Sequence, residues 1–360
     1  MQLDEAAGRP HAGRRRGARG GVLLARAAGP RRGGAAPPAP RLGRRRRPRA
    51  PSAAPRGEGR AGARARAGAR HDQLLRLRRQ QLHARPRRGG VTPAARVLRV
   101  AAWAPGLEDE AAWRAWAAAP APLAREGVPD ATFLPAMLRR RCTPLTRIML
   151  RAAYDACPEA LRADVRTVFA SRHGSINESI ELIENVARGL PLSPAKFSHT
   201  VHNAQAALYS IAAGNRRASS SLAAQDDTLA AGWLEALTHL EREPERSVLL
   251  VVGDVPLAPT FAPLVDEPAA SYAVAWLLVA AEAARETGEP ARDARRASGG
   301  ASAGSGARVE LAFEPRDPDA ARPRRAWADA AEHLRWWLAG EPELALPGVR
   351  QLVRWRRAAA

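Results

Sequence analysis

The residues of this 360-residue chain that can do chemistry are few and scattered. Two cysteines, Cys142 and Cys157, stand at either end of a stretch with helical spacing, Leu145 to Ala156. A nucleophilic thiol needs its thiolate favoured by a neighbouring cation or a helix N-terminus. Spacing gives neither cysteine a histidine, so both read as small buried side chains. His173 lies in the run Ser171-Arg172-His173-Gly174-Ser175, at a strand-to-helix turn, where it either faces a pocket or bonds local backbone. His199 and His202 form an H-x-x-H pair, which resembles metal-ligand spacing on a helix. They precede the helix and no third ligand is near, so no metal site is expected. Ser219, Ser220 or Ser221 with His202 would be the parts of an acyl-transfer or hydrolase site, although no G-x-S-x-G elbow surrounds them. Asp226 and Asp227 stand at a helix N-terminus, where the dipole stabilises carboxylates without any catalytic role. No cofactor is called for.

The elements that must position these groups lie between Ser198 and Asp254. Asn203 is a candidate N-cap, its side-chain oxygen taking up orphan amide protons. An alanine-rich helix follows over Ala204 to Ala213, with Gly214 as a left-handed C′ residue. The polar run Arg216 to Ser221 reads as a turn into a second helix, whose apolar positions Leu222, Leu229, Trp233, Leu237 and Leu240 recur at helical spacing. Val248 to Val252 has no polar alternation, which suits a strand buried on both faces. Upstream, Arg96 to Trp103 reads as a strand and Asp109 to Ala119 as a helix with Trp113 and Trp116 one turn apart. Val165 to Ala170 is a further strand. Ser175 and Glu178 make a capping box for a helix over Ile176 to Arg188 that buries Ile176, Ile180, Ile183 and Ala187. Downstream, Val255 to Pro268 is a proline-punctuated loop. Ala273 to Val279 and Val309 to Phe313 are strands, and Trp327, Ala330, Leu334, Trp337 and Leu338 line one face of a last helix.

Three runs in this order, SRHGS at 171–175, PLSPAKFSHTVHNA at 191–204 and SLAAQDDTLAAGWLEA at 221–236, resemble the N-terminal half of β-ketoacyl synthases. The likeness is greatest to the short, chain-length-factor-like ketosynthase homologues of polyene and fatty-acid-type clusters, and it spans Arg96 to Ala284. It implies a thiolase-like layered fold, N-terminal half only, with a mixed and mostly parallel sheet flanked by helices. In that family a cysteine nucleophile opens the second helix, and two histidines come from HGT-type and GH-type motifs of the second half. Here the corresponding position is Gln225, with Ala223 or Ala224 if the alignment slips. None of these can form a thioester, and glutamine also replaces the cysteine in polyketide chain-length factors. After Ala280 the chain has one histidine, His333, in the sequence EHL. The resemblance therefore implies a subunit without catalytic residues of its own. Its partners would be a catalytic β-ketoacyl synthase, as a heterodimer, and an acyl carrier protein, with a homodimer as the alternative assembly. Pairing is expected through Val248 to Val252 and the helix before it. The candidate residues are Gln225 as the degenerate nucleophile position, with His173, His202, Asn203 and Asp226 as pocket or structural groups.

Charge separates the chain into parts. Residues 1–90 hold 25 arginines against four acidic residues, and the other 270 residues carry no net charge. A segment of arginine, alanine, glycine and proline lacks the apolar content for a core and is expected to be disordered. The whole chain has a single lysine, Lys196. Phosphate binding would not exclude lysine, whereas GC-rich codons favour arginine, alanine, glycine and proline. The expectation is a passive extension over 1–91, translated from a start upstream of the true one, with a nucleic-acid-binding arm as the weaker alternative. A β-ketoacyl synthase-like domain is expected over 92–285, a flexible linker over 286–308, and a strand–helix segment over 309–360 completing the domain. The longest apolar run, Ala269 to Ala284, is too short to span a bilayer, and a cytoplasmic location is expected.

Overall fold

The computed structural model describes residues 92–281, 306–317 and 325–358, all within one unit spanning Arg85–Ala360. The expectation for residues 1–91 lies outside the described residues. Eight strands are β1 Ala94–Trp103, β2 Arg166–Ala170, β3 Ser219–Leu222, β4 Val248–Asp254, β5 Tyr272–Ala280, β6 Ala307–Pro315, β7 Glu343–Pro347 and β8 Gln351–Ala358. They form one sheet in the order β3-β2-β4-β5-β1-β6-β8-β7. The longer helices are α1 Glu110–Ala118, α2 Pro144–Ala156, α3 Ile176–Ala187, α4 Ala204–Ala213, α5 Thr228–Arg242 and α6 Asp329–Ala339.

The unbroken apolar run of β4 places it inside the sheet, between β2 and β5. Val248, Leu250 and Val252 face the layer of α1, α5 and α6, while Leu249 and Val251 face that of α2 and α4. A strand buried on both faces needs a helical layer on each, and the chain supplies both. Alternation sets β8 apart, because Val353 and Trp355 are buried and their neighbours are not.

The sheet is mixed, as expected, but antiparallel pairings outnumber parallel ones. Only β2–β3 and β2–β4 run parallel. Parallel neighbours need a crossover of a dozen or more residues, and α3 with α4, then α5, provide it. Elsewhere antiparallel strands meet: β5 lies between β4 and β1, and β6, β8 and β7 extend the sheet beyond β1.

Four local readings change. Ser219–Leu222 is not a turn or a helix start but a short edge strand parallel to β2, and α5 begins only at Thr228. Asn203 occupies the N-cap position of α4 without a side-chain capping bond, because its backbone (φ −91°, ψ 10°) is not extended. Ser175 likewise forms no capping box; its hydroxyl accepts from Gln205 Nε2 at 3.0 Å instead. On α3 only Leu182 is buried, Ile176 and Ile180 are half-buried, and Ile183 is 66% exposed. The helical spacing on α3 is real, but among the described residues no layer covers that face. Of the expected linker, Gly306 to Arg308 already belong with β6, where Gly306 N donates to Val97 O; residues 286–305 lie outside the described residues. The C-terminal tail adds a hairpin, β7–β8, after the expected helix.

Candidate functional site

The parallel strands β2 and β4 end side by side, and the turn Ser171–Ser175 leaves β2 over the end of β4. Asp254, buried at the end of β4, organises this turn. Its carboxylate accepts from Ser171 Oγ at 2.7 Å and from the backbone N–H groups of Arg172 and His173 at 3.0 Å each. Ser171 Oγ in turn accepts from Gly174 N at 2.8 Å. Burial pushes the Asp254 carboxyl above its ordinary range, against the pull of these donors. Gly174 is required twice over: its φ is +56°, and an added Cβ would stand 2.8 Å from the His202 ring.

This turn aims Arg172 at the start of α5. Its guanidinium pairs with Asp226 at 2.7 Å, Glu267 at 3.0 Å and Asp266 at 3.2 Å. Asp226 follows Gln225, and Gln225 is the single non-glycine residue with positive φ (52°) among the described residues. A left-handed glutamine is strained by about 1–2 kcal/mol, so its surroundings must impose it. Thr228 does so from within, since its hydroxyl donates to Gln225 O at 2.6 Å and accepts from Ala224 N at 3.1 Å. From outside, Asp227 Oδ1 accepts from Val349 N at 2.9 Å, docking the β7–β8 turn onto the elbow. Gly348 leaves no room for a Cβ there, which would fall 2.0 Å from Asp227 Oδ1.

An open depression of about 620 Å³ lies in front of Gln225, between Arg172, Ala223, Ala224, Asp227 and the turn carrying Val349, Arg350 and Gln351. Among the described residues no cysteine or histidine lines it. Behind Gln225 is a tight cluster of Asp226, Asp254, Glu267, Tyr272, Arg325 and Asp329. Burial raises the Asp329 carboxyl to about 7, against the pull of Arg325 at 3.1 Å.

The other chemistry-bearing residues are elsewhere. Cys142 and Cys157 are buried in the α2 layer, and burial pushes both thiols up, Cys157 to about 11. His173 does face a small cavity, of about 50 Å³, shared with Glu267 and Tyr272, and burial lowers its pKa. His202 Nε2 lies 3.1 Å from Ser171 O and is bonded there rather than to any of the three serines. Among the described residues no group of three or more potential ligands is placed to hold a metal ion. His333 is buried in a cage of Trp233, Trp276, Trp336 and Trp355, with ring centroids 5.0–5.3 Å away.

The histidine that spacing missed is His239, on α5. Ser220 Oγ donates to Glu235 Oε1 at 2.6 Å and lies 3.2 Å from His239 Nε2. The composition is that of a hydrolase triad, but the geometry is not. Both Ser220 and Glu235 meet the same ring nitrogen, and Nδ1 faces Arg166 Nη1 at 3.4 Å. An arginine can only donate, so Nδ1 is the acceptor and Nε2 carries the proton. The imidazole therefore has no lone pair for the Ser220 hydroxyl. A one-turn i, i+4 spacing to Glu235 was the available sequence signal.

A sequence model of the β-ketoacyl synthase N-terminal domain matches residues 113–356. The chain belongs to this family. The match runs through the C-terminal hairpin, well past Ala284. No curated protein matches the chain. Among solved structures, the ketosynthase (ApeO) in complex with its chain length factor (ApeC) from Xenorhabdus doucetiae is similar. It is 24% identical with a TM-score of 0.59, over 74% of this chain and 100% of that chain. A type II polyketide synthase acyl-carrier protein in complex with its ketosynthase, bound to the hexaketide, is similar at 10% identity. Its TM-score is 0.53, over 75% of this chain and 100% of that chain. These likenesses show the thiolase-like layered fold. One expectation drawn from the family fails on geometry. Val248 to Val252 cannot be a pairing strand, because β4 is paired on both sides and no more than 2% exposed. Among the described residues, the strand at this edge of the sheet is β3, paired on one side only.

Proposed function

We propose that this chain is a non-catalytic β-ketoacyl synthase-like subunit of the chain-length-factor kind, acting in fatty-acid or polyene-type polyketide synthesis beside a catalytic ketosynthase and an acyl carrier protein. The observation that carries the reading is Gln225. It sits on a left-handed elbow at the start of α5, held by Thr228 and by the β7–β8 turn, before an open depression. An elbow aims a side chain at a substrate. Glutamine there can hydrogen-bond but cannot be acylated, and covalent catalysis needs a nucleophile with a base in reach. The similarity to ketosynthase complexes, one with a chain length factor, supports the same assignment.

Pairing runs through the edge of β3 that has no partner strand among the described residues, four residues that lead toward the elbow. An unpaired edge strand is a template for a second chain. Beside it, α4 packs on β3 and exposes Ile211; in the chain before α4, Ile183, Val186, Leu190, Leu192 and Phe197 are 49–67% exposed. The C-terminal strands β6, β7 and β8 are built into the same sheet.

Intact-mass spectrometry after incubation with acyl-carrier-protein thioesters tests the reading, together with co-purification of a ketosynthase. No acyl adduct is expected on the chain, and a stoichiometric complex is. Gln225→Cys alone should not create a synthase. Stoichiometric acylation of Cys142, Cys157 or Ser220 overturns the reading in favour of an acyl-transfer enzyme.

A further inference from the structure

The β7–β8 turn that walls the depression is tied down at three points. Val349 N donates to Asp227 Oδ1 at 2.9 Å, Arg316 N donates to Arg350 O at 3.2 Å, and Arg325 Nη2 donates to Pro347 O at 3.2 Å. Arg325 is held in turn by Asp329, the first residue of α6, whose Oδ2 lies 3.1 Å from Nη1. The two side chains are only 13% and 14% exposed, so solvent screens the pair little. Asp329 does not sit in balanced surroundings. Facing it are Arg172 from the turn after β2, Asp226 from the elbow, Asp254 from β4, and Glu267 and Tyr272 from the chain entering β5. Four carboxylates thus share two guanidiniums, and Arg172 is already committed to Asp226, Glu267 and Asp266. On α6 itself, Glu332 is engaged by Arg335. The space between these groups, about 20 Å³, is that of about one water, so solvent relieves little of the crowding. Uptake of a proton relieves it instead. Burial outweighs the pull of Arg325 and lifts the Asp329 carboxyl to about 7, and burial raises Glu267 and Asp254 as well.

We propose that Asp329 and Arg325 form a proton-sensitive clasp on the β7–β8 turn: ionised Asp329 holds Arg325 against Pro347 O and the turn against the elbow, and neutral Asp329 releases both. The guanidinium stays cationic throughout. Once released it turns to the remaining carboxylates, Glu267 and Asp226, and leaves Pro347 O to water. The wall of the depression before Gln225 then loosens on acidification. The sign of the global effect is opposite. The carboxyl titrates near 7 in the folded chain and near its ordinary 3.8 in the unfolded one. Between these values the folded chain holds the extra proton, so through this group acid stabilises the fold while it loosens the turn. As a control on access to Gln225 the clasp rests on the reading proposed above; its test reads the turn alone, so either can fail without the other.

The experiment is amide hydrogen exchange of the full chain at pH 6 and pH 8, expressed as protection over the unstructured rate at each pH. Amides of β4 serve as the reference, because the most buried strand exchanges through global opening. From pH 8 to pH 6, protection at Gly348 and Val349 should fall about five- to tenfold relative to β4, the weakening of one charge-assisted contact. Asp329→Asn should show the pH 6 level already at pH 8 and lose the step. Asp329→Glu keeps an acid at this position and should keep the step. Arg325→Gln should loosen the turn at both pH values. Protection that is the same at pH 6 and pH 8 in the wild-type chain overturns the proposal. A step that persists in Asp329→Asn does so too, since the proton would then act elsewhere.

Discussion

His333→Phe should remove an acid sensitivity built into the core. Its imidazole is completely buried among four tryptophans, and neither ring nitrogen has a hydrogen-bond partner among the described residues. Burial lowers its pKa from the ordinary 6.5 to about 3. The unfolded chain therefore takes up a proton at this site below about pH 6.5, while the folded chain stays neutral until about pH 3. Acid stabilises only the unfolded state, so stability is full above pH 6.5 and falls with pH through that window. At 1.36 kcal/mol per pKa unit, lowering the pH from 7 to 5 removes about 2 kcal/mol through this one group. Phenylalanine does not titrate and leaves no unpaired ring nitrogen, although its larger ring can cost about 1–3 kcal/mol if the cage does not relax. His333→Leu avoids that overpacking and serves as the second variant. Urea unfolding at pH 7 and pH 5 measures the effect as the difference between each variant and wild type, so that other titrating carboxylates cancel. Both variants should lose about 2 kcal/mol less than wild type over this range. Equal losses, within about 0.5 kcal/mol, would show that His333 is hydrated or partnered in solution and would refute the argument.

Two further outcomes follow from the site. Gly348→Ala should lift the β7–β8 turn off Asp227, since the new Cβ would meet Oδ1 at 2.0 Å; hydrogen exchange should then rise at Val349 and along β7, and an unchanged exchange pattern would argue against the docking. Asp254→Ala strips the Ser171–Gly174 turn of its buried acceptor and should destabilise the fold by about 3–5 kcal/mol, the range for breaking a buried charged network, with Asp254→Asn intermediate; thermal melting checks both, and a shift of under about 2 °C for the alanine variant would mean that water replaces the carboxylate.

Sequence alone determined the parts whose physics is local or strictly periodic. The unbroken apolar run of β4 has one stable home, the inside of a sheet covered on both faces, and it lies there. The alanine-rich α4 runs from Ala204 to Ala213 and ends at Gly214 with φ +63°, where a left-handed residue was required. Family membership was legible in three runs because they carry the turn around Asp254 and the elbow, where few residue types fit. Tertiary structure decided whatever depends on residues far apart. Gln225 has no local signal for a left-handed backbone; Thr228 and a hairpin more than 120 positions away impose it. Ser219 to Leu222 is too short and polar to read as a strand, and becomes one only because β2 offers an edge. The apolar face of α3 has the spacing of a buried helix, yet burial needs a covering layer, and spacing within one helix does not encode whether the chain supplies it. His333 is the sharpest case. One histidine in the sequence EHL carries no sign of its cage, because its tryptophans come from α5, β5, α6 and β8 and meet only when the sheet has formed.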